Sequence, residues 1–288
     1  MIHTILKICP CKVQAGIYIV ATPIGNLRDI TLRALDVLTH ADIIACEDTR
    51  VSAKLLSNFS IKAKVVAYHD HNADKIRPKL FEAVEQGKVV VLISDAGTPL
   101  VSDPGFKLVR DAVEAGWPVT PIPGACAPIT ALMGAGLPSD IFTFMGFLPT
   151  KEQAKKNILS NLTEGMGTVI LFESPNRIED TINIIAKVQP DSDVVVGREL
   201  TKKFEQFVRG NAIDVANEIG DMTKKGEIVL LIRVKDKEIS TDGVEKMLKN
   251  ALETMRLKDA STLVAESTGL KKKDVYKIAL KIKEDIDG

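Results

Sequence analysis

Cysteine is scarce in this chain: there are four in 288 residues, Cys9, Cys11, Cys46 and Cys126. Only Cys9 and Cys11 are neighbours, and no second pair supplies the remaining ligands of a tetrahedral zinc site. A metal is therefore not expected, and the usage fits a reducing compartment. An excess of one charge is equally missing. Lys plus Arg and Asp plus Glu each number 38, so the net charge is zero and no global field gathers polyanions. Any nucleic-acid surface has to be local. No apolar run approaches the ~18 residues of a membrane span, and MIHTILKICPCKVQAG has no proper signal-peptide core. A cytoplasmic protein with no membrane attachment is the expectation. The common catalytic signatures are lacking too. GxxxxGK followed by Ser or Thr, GxGxxG after a strand, and GxSxG do not occur. Their absence argues against a phosphate-cradling nucleotidase, weakens a nicotinamide dehydrogenase and removes the nucleophile elbow.

What is present reads as a soluble protein with a core. A composition 45% hydrophobic and 26% charged is ordinary for globular chains, and the length suits roughly two domains. From Gly16 onward short apolar runs alternate with amphipathic stretches. IYIVATP is followed by TLRALDVLTHA, a helix that Asp29 or Thr31 can cap, and by DIIACEDTR; a helix over Val51 to Asn58 leads to KVVAYHDHN; a helix over Ala73 to Gln86, closed by Gly87, leads to KVVVLI. Strands separated by about ten to fifteen helical residues predict βαβ units and a mostly parallel sheet.

The stretch Val89 to Ala127 carries the strongest site signal. Its apolar runs VVVLI and PVTPI each end in a cluster of Gly, Pro, Ser, Asp and Thr, and a helix over Phe106 to Ala115 lies between them. Ligands of open α/β sheets lie at the carboxyl ends of strands. A binding site is therefore expected at Ser94 to Ser102 and Pro123 to Ala127, where Gly97 and Gly124 leave bare backbone. Past the Gly- and Pro-dense segment Gly134 to Pro138, a second alternation begins. IFTFMGFLP, a polar helix from Lys151, TVILFES, a helix over Arg177 to Val188, VVVGREL, FEQFVRG, a helix near Asn211 to Ile219 and EIVLLIRV make up another α/β domain. Its last strands alternate enough for an antiparallel or mixed sheet. After Val234 the charged KDKEIS leads into two or three helical patterns, the second capped by Asp259 or Ser261 and stopped by Gly269. The expected organisation is a lead-in at 1–15, α/β domains at 16–126 and 127–235, and a small helix-turn-helix-like domain at 240–288.

Polar residues gather at the strand ends: Glu47 to Arg50, His69 to His71, Ser94 and Asp95, Glu173 to Arg177, and Arg198 to Lys202. If the strands all point one way, these clusters meet in one cleft; singly, each also reads as a solvated loop or a helix cap. Glu173 and Glu199 directly follow apolar runs, so partial dehydration is expected of them. His69 and His71 share one strand face, but without a third matched ligand a metal is not expected there.

ATPIGNLRDIT, CEDTR, YHDHN, SDAGTPLVSDPG, PIPGACA, FESPNR and GRELTKKFEQFVRG, in that order, closely resemble the bacterial small-subunit ribosomal RNA cytidine 2′-O-methyltransferases of the tetrapyrrole methylase superfamily. The likeness runs from about Gly16 to Val234 and on through the C-terminal helices; residues 1–15 are not covered. It implies two α/β domains of tetrapyrrole-methylase type with S-adenosylmethionine in the cleft between them, a small helical appendage, and a homodimer. It also implies methyl transfer to a cytidine ribose in the RNA of the small ribosomal subunit. Carried over by motif, the donor would touch Pro23, Asp95, Ala96, Gly97, Thr98, Val101, Ser102, Ala125, Cys126, Ala127, Phe172, Arg198, Glu199 and Leu200. Relatives acting on tetrapyrroles have a Gly-Asp-Pro loop where this chain has DAGTP, a departure that weakens a corrin substrate.

Methyl transfer from a sulfonium demands that the hydroxyl be held ~3 to 3.5 Å from the methyl carbon. A ribose hydroxyl is a poor nucleophile while neutral, and a placed proton acceptor contributes ~10² to 10⁴. Glu173 or Glu47 is the expected base, with Lys202 or Arg177 holding a neighbouring phosphate. Arg28, Arg50, His69, His71, Arg177 and the run Lys271, Lys272, Lys273 are the expected RNA contacts, because splayed RNA brings ribose and base edge into a pocket together. The rival readings are a methylase acting on a corrin or protein side chain, an α/β nucleotide-binding oxidoreductase, and a ribosome-binding module without catalysis.

Overall fold

A computed structural model describes residues 12–235, 241–268, 270 and 272–287. Cys9, Cys11, most of the charged linker, Gly269 and Lys271 lie outside the described residues. The chain divides after Val234 into two units.

The first apolar runs form one sheet. β1 (Gly16–Val20), β2 (Ile43–Cys46), β3 (Lys64–Ala67), β4 (Val89–Leu92) and β5 (Val119–Ile122) stand in the order β3-β2-β4-β1-β5, with every pair parallel. β1 and β4 lie side by side within it and are buried at every position, as parallel strands covered on both faces must be. Alternate residues feed separate cores. Tyr18 and Val20 pack with α1 (Leu32–Thr39) and α2 (Thr49–Asn58); Ile17 and Ile19 pack with α3 (Ala73–Glu85) and α4 (Phe106–Glu114). Of the two caps expected for α1, Thr31 is the one used: its hydroxyl accepts from the Ala34 amide at 3.1 Å. Pro121 is tolerated in β5 because that strand is an edge.

α5 (Ala127–Ala135) leads into a second sheet. β6 (Phe142–Phe147), β7 (Thr168–Glu173), β8 (Asp193–Arg198), β9 (Gln206–Asn211) and β10 (Ile228–Arg233) are ordered β6-β7-β10-β8-β9. β6 and β7 run parallel, whereas β10 is antiparallel to both β7 and β8, so the sheet is mixed. The mixed sheet matches the expectation, and the two strands that carry its polar clusters, β7 and β8, point the same way. Glu173 and Arg198, the ends of β7 and β8, stand level with Ile228, the beginning of β10. α6 (Glu152–Ser160), α7 (Ile178–Val188) and α8 (Ala212–Glu218) cover one face of this sheet. α5 covers the other, where Ala131, Leu132 and Ala135 pack with Ile170, Val195, Leu231 and, from the first lobe, Ile24. This shared apolar core joins the two sheets into one unit.

In the second unit α9 (Thr241–Leu252), α10 (Leu257–Thr268) and α11 (Lys272–Asp287) bury Val244, Leu248, Val264, Val275, Ala279 and Ile282 together. Asp259 and Ser261, expected as caps of α10, lie inside it. Ser261 Oγ donates back to the Leu257 carbonyl at 2.6 Å, which satisfies the hydroxyl within the helix. No described helix is long and apolar enough to cross a membrane.

Candidate functional site

A cavity of about 370 Å³ opens where the carboxyl ends of β1, β4 and β5 face the second sheet. Its floor comes from the loop after β4. Thr22, just past β1, and Gly97 exchange backbone hydrogen bonds of 2.8 and 3.0 Å, and the Thr22 hydroxyl donates to the Ser94 carbonyl at 3.3 Å. Gly97 holds φ 81°, where a Cβ would come within 3.2 Å of Ile24. Leu100 and Ser102 adopt left-handed backbone without being glycine, at φ 73° and 65°. Such strain of about 1–3 kcal/mol per residue persists only where surrounding structure fixes it. Thr98 Oγ1 donates to the Ala125 carbonyl at 3.0 Å, tying this loop to the PGACA turn, and Cys126, Ala127 and Pro128 bring the start of α5 to the cavity edge.

The opposite wall is made by Phe147, by Phe172 to Pro175 at the end of β7, and by Gly226 to Val229 at the beginning of β10. The Phe172 ring packs edgewise on Phe144 and at a tilt on Phe147, with centroids 5.1 and 5.3 Å apart. Glu173 reaches the cavity, but its carboxylate is already engaged. Thr181 Oγ1 donates to it at 2.7 Å, Lys155 Nζ stands 3.6 Å away and Arg177 Nε 3.2 Å away. The Lys155 and Glu173 side chains are 5% and 0% exposed, so this is a buried charge pair. Glu173, one of the two carboxylates expected as a base, is thus held by one hydroxyl and two cations. Arg177 is bonded as well, donating to the Leu148 and Pro149 carbonyls at 2.8 and 2.9 Å.

Lys202 is also bonded: its ammonium donates to Glu199 at 2.8 Å and to Glu227 at 3.1 Å. Burial alone would lower its pKa, yet the two carboxylates outweigh that and raise it. Lys202 in turn holds Glu199 below the usual carboxylate range. On the first wall the sign is reversed. Burial pushes the Asp103 carboxyl up to about 6; hydrogen bonding from Ser94 opposes this in part, and the charges of Glu47 and Asp95 add to it.

Of the expected donor contacts, Asp95 to Thr98, Val101, Ser102, Cys126, Ala127 and Phe172 line the cavity. Pro23, Ala125 and the Arg198 to Leu200 segment are not among the lining residues. Arg198 Nε donates to the Lys225 carbonyl at 2.8 Å, Leu200 joins the shared apolar core, and Glu199 packs against Gly226. Arg28 is exposed, and Arg50 is exposed but paired with Asp48 at 2.6 Å. His69 and His71 lie 6.0 Å apart between ring centroids, away from the cavity lining, and no metal-sized cluster exists among the described residues. Lys272 and Lys273 are exposed on the helical unit. Sequence reasoning missed Asp103 and the Gly226–Glu227 turn. A carboxylate inside the Pro- and Gly-rich run SDPG and a Gly-Glu pair before IVLLI were the available signals.

Two sheets sharing one core, with a ligand-sized cavity at parallel strand ends, define a two-lobed α/β protein built to hold a small molecule. Comparison with known proteins narrows this. The family described as Tetrapyrrole (Corrin/Porphyrin) Methylases matches residues 16–216, and the one described as RsmI C-terminal HTH domain matches residues 237–283. A ribosomal RNA small subunit methyltransferase I of Pasteurella multocida (strain Pm70) is 47% identical over 271 residues, 92% of this chain and 96% of that protein. Its namesake from Mesorhizobium japonicum is 43% identical over 274 residues, 94% of this chain and 93% of that protein. Among solved structures, the cobalamin biosynthetic enzyme cobalt precorrin-4 methyltransferase aligns with TM-score 0.55 at 21% identity over 75% of this chain and 93% of its own. Diphthine synthase gives 0.57 at 15% identity over 75% and 89%. These two establish the fold. The chain belongs to the tetrapyrrole methylase family of methyltransferases and, within it, groups with the proteins named ribosomal RNA small subunit methyltransferase I.

Proposed function

We propose that the protein transfers the methyl group of S-adenosylmethionine to the ribose 2′-hydroxyl of a cytidine in small-subunit ribosomal RNA. The observation that carries this reading is the charge of the cavity lining: Asp95 and Asp103 contribute carboxylates without an ion pair, Glu173 and Glu227 contribute paired ones, and no Lys, Arg or His stands among the lining residues. A phosphorylated nucleotide asks for cations or for the cradles that the sequence lacks. A sulfonium is drawn to negative potential. The same observation speaks against the oxidoreductase reading.

The lining also suits the rest of the donor. The amides around Gly97 and the positive end of α5 offer partners for its carboxylate and hydroxyls, and Phe172, Ile228 and Val229 offer apolar surface to its base. Arg198, Glu199 and Leu200 support that wall from behind, through the Lys225 carbonyl and Gly226. Bound there, the donor supplies an electrophilic methyl carbon on a good leaving group. The chain's own task is to exclude water and align the hydroxyl at ~3 to 3.5 Å. Arg28, Arg50, His69 and His71, with Lys272 and Lys273 of the helical unit, are proposed to meet the RNA, and the names of the relatives support that substrate. A second copy of the chain is proposed to cover Ile129, Met133, Phe142 and Phe147, which are 40, 83, 44 and 62% exposed.

The test combines purified protein with small ribosomal subunits and with deproteinised RNA. Digestion and mass spectrometry are expected to find a 2′-O-methylated cytidine in the former at much the higher yield. The same nucleoside should vanish from cells lacking the gene and return with it. Equal yield on both substrates removes the preference for the assembled particle. No methylated cytidine on either sinks the reading, and calorimetry with S-adenosylmethionine shows independently whether the cavity takes the donor.

A further inference from the structure

A proton acceptor held by a cation is a weak one, and the cavity carboxylates differ in this respect and in burial. Glu173 accepts from Thr181 and sits between Lys155 and Arg177. Glu227 is bonded to Lys202. Asp95 accepts from the Asp48 amide at 3.1 Å and is exposed. Asp103 lines the cavity, is half-buried, and has Ser94, Glu47 and Asp95 as the neighbours acting on it, none of them a cation. Its backbone is fixed from both sides: Leu100 and Ser102 before it are held left-handed, and Gly105 after it is held at φ 132°, packed against Leu92 and Leu100. A carboxylate so placed is preorganised.

We propose that Asp103 is the catalytic base of the methyl transfer, taking the proton of the acceptor hydroxyl as that oxygen is methylated; the assignment rests on the proposed function. In the balanced step the hydroxyl oxygen forms a bond to the methyl carbon, the carbon–sulfur bond breaks with its electron pair left on sulfur, and the hydroxyl proton passes to an Asp103 Oδ. Water then carries the proton off. The charged groups on its own wall are Glu47 and Asp95, while Glu173 and Glu227 across the cavity are each paired. Desolvation and these neighbours bring the carboxyl to about 6, closer to the operating pH and so a better match to its task than an ordinary carboxylate. Only the ionised form accepts a proton, so turnover should rise as pH climbs through that value.

The experiment compares the wild type with Asp103→Asn and Glu47→Gln. Turnover on small ribosomal subunits is followed from about pH 5 to about pH 8.5, donor affinity is measured by calorimetry, and the Asp103 carboxyl of the free protein is titrated by carbon-13 NMR. D103N is expected to bind the donor within about threefold of wild type, to lose ~10² to 10⁴ in turnover and to lose the rising limb. E47Q removes a neighbouring negative charge and should move that limb, and the NMR midpoint, to lower pH. D103N turning over within about threefold of wild type with the limb intact overturns the assignment of Asp103 alone. So does an NMR midpoint in the ordinary carboxylate range. A wild type that binds no donor and methylates no subunit overturns the underlying reading, and Asp103's role with it.

Discussion

The two walls of the cavity treat negative charge in opposite ways. On the second-sheet wall every lining carboxylate has a cation: Lys155 and Arg177 for Glu173, Lys202 for Glu227 and, behind it, for Glu199. On the parallel-sheet wall Asp95 and Asp103 line the cavity and Glu47 stands near, with no ion pair to any of them among the described residues. The paired wall fixes shape, and the unpaired wall keeps its charge available to a ligand. Buried pairs contribute little net stability but are costly to break, because what remains is an uncompensated charge.

The contrast breaks first at Glu173. Glu173→Ala leaves Lys155 without a counter-charge and should cost about 3–5 kcal/mol in urea unfolding; a loss under about 1 kcal/mol would mean that the wall is not organised by this pair. Gly226→Ala comes next. At φ 95° the added methyl meets the Glu199 carboxyl, so stability should fall by about 1–2 kcal/mol and calorimetry should show weakened donor binding. Lys202→Met frees Glu199 and Glu227 on a side chain 28% exposed, and about 1 kcal/mol is expected after solvent screening. The smallest change has the opposite sign. Burial pushes the Asp103 carboxyl up to about 6 in the folded protein, above the ~3.9 of an ordinary aspartate, so its ionisation opposes folding. The stability linked to it is complete below about pH 4 and is lost as pH rises through about 6. Asp103→Asn should therefore melt above wild type at about pH 8 and with it at about pH 3.5. The shift bounds the gain at about 3 kcal/mol, and screening of a half-exposed group brings it to about 1 kcal/mol or less.

Much of the first lobe was legible because its signals are local. Apolar runs of fixed length, Gly87 at a helix end and Thr31 as a cap are properties of a few consecutive residues. The loop Asp95 to Ser102 was legible for the same reason, since strand ends in parallel sheets are where Gly, Pro and Asp collect. Pairing across the chain was not. Lys155 belongs to a helix that reads as polar, and nothing near it in sequence announces that Glu173 will need its charge. Gly226 and Glu227 precede a strand instead of following one, and they enter the cavity because β10 runs against β7 and β8. Asp103 was passed over beside the more conspicuous Asp95, since the burial that sets it apart is a property of the folded cleft.

Thr22 and Gly97 give each other both of their backbone hydrogen bonds, which adds one rung beyond the ends of β1 and β4. Their amide hydrogens should then trade with deuterium on the slow timescale of the central strands and not on that of surface turns. A guest molecule in the cavity would thus stand on ground as firm as the protein's interior.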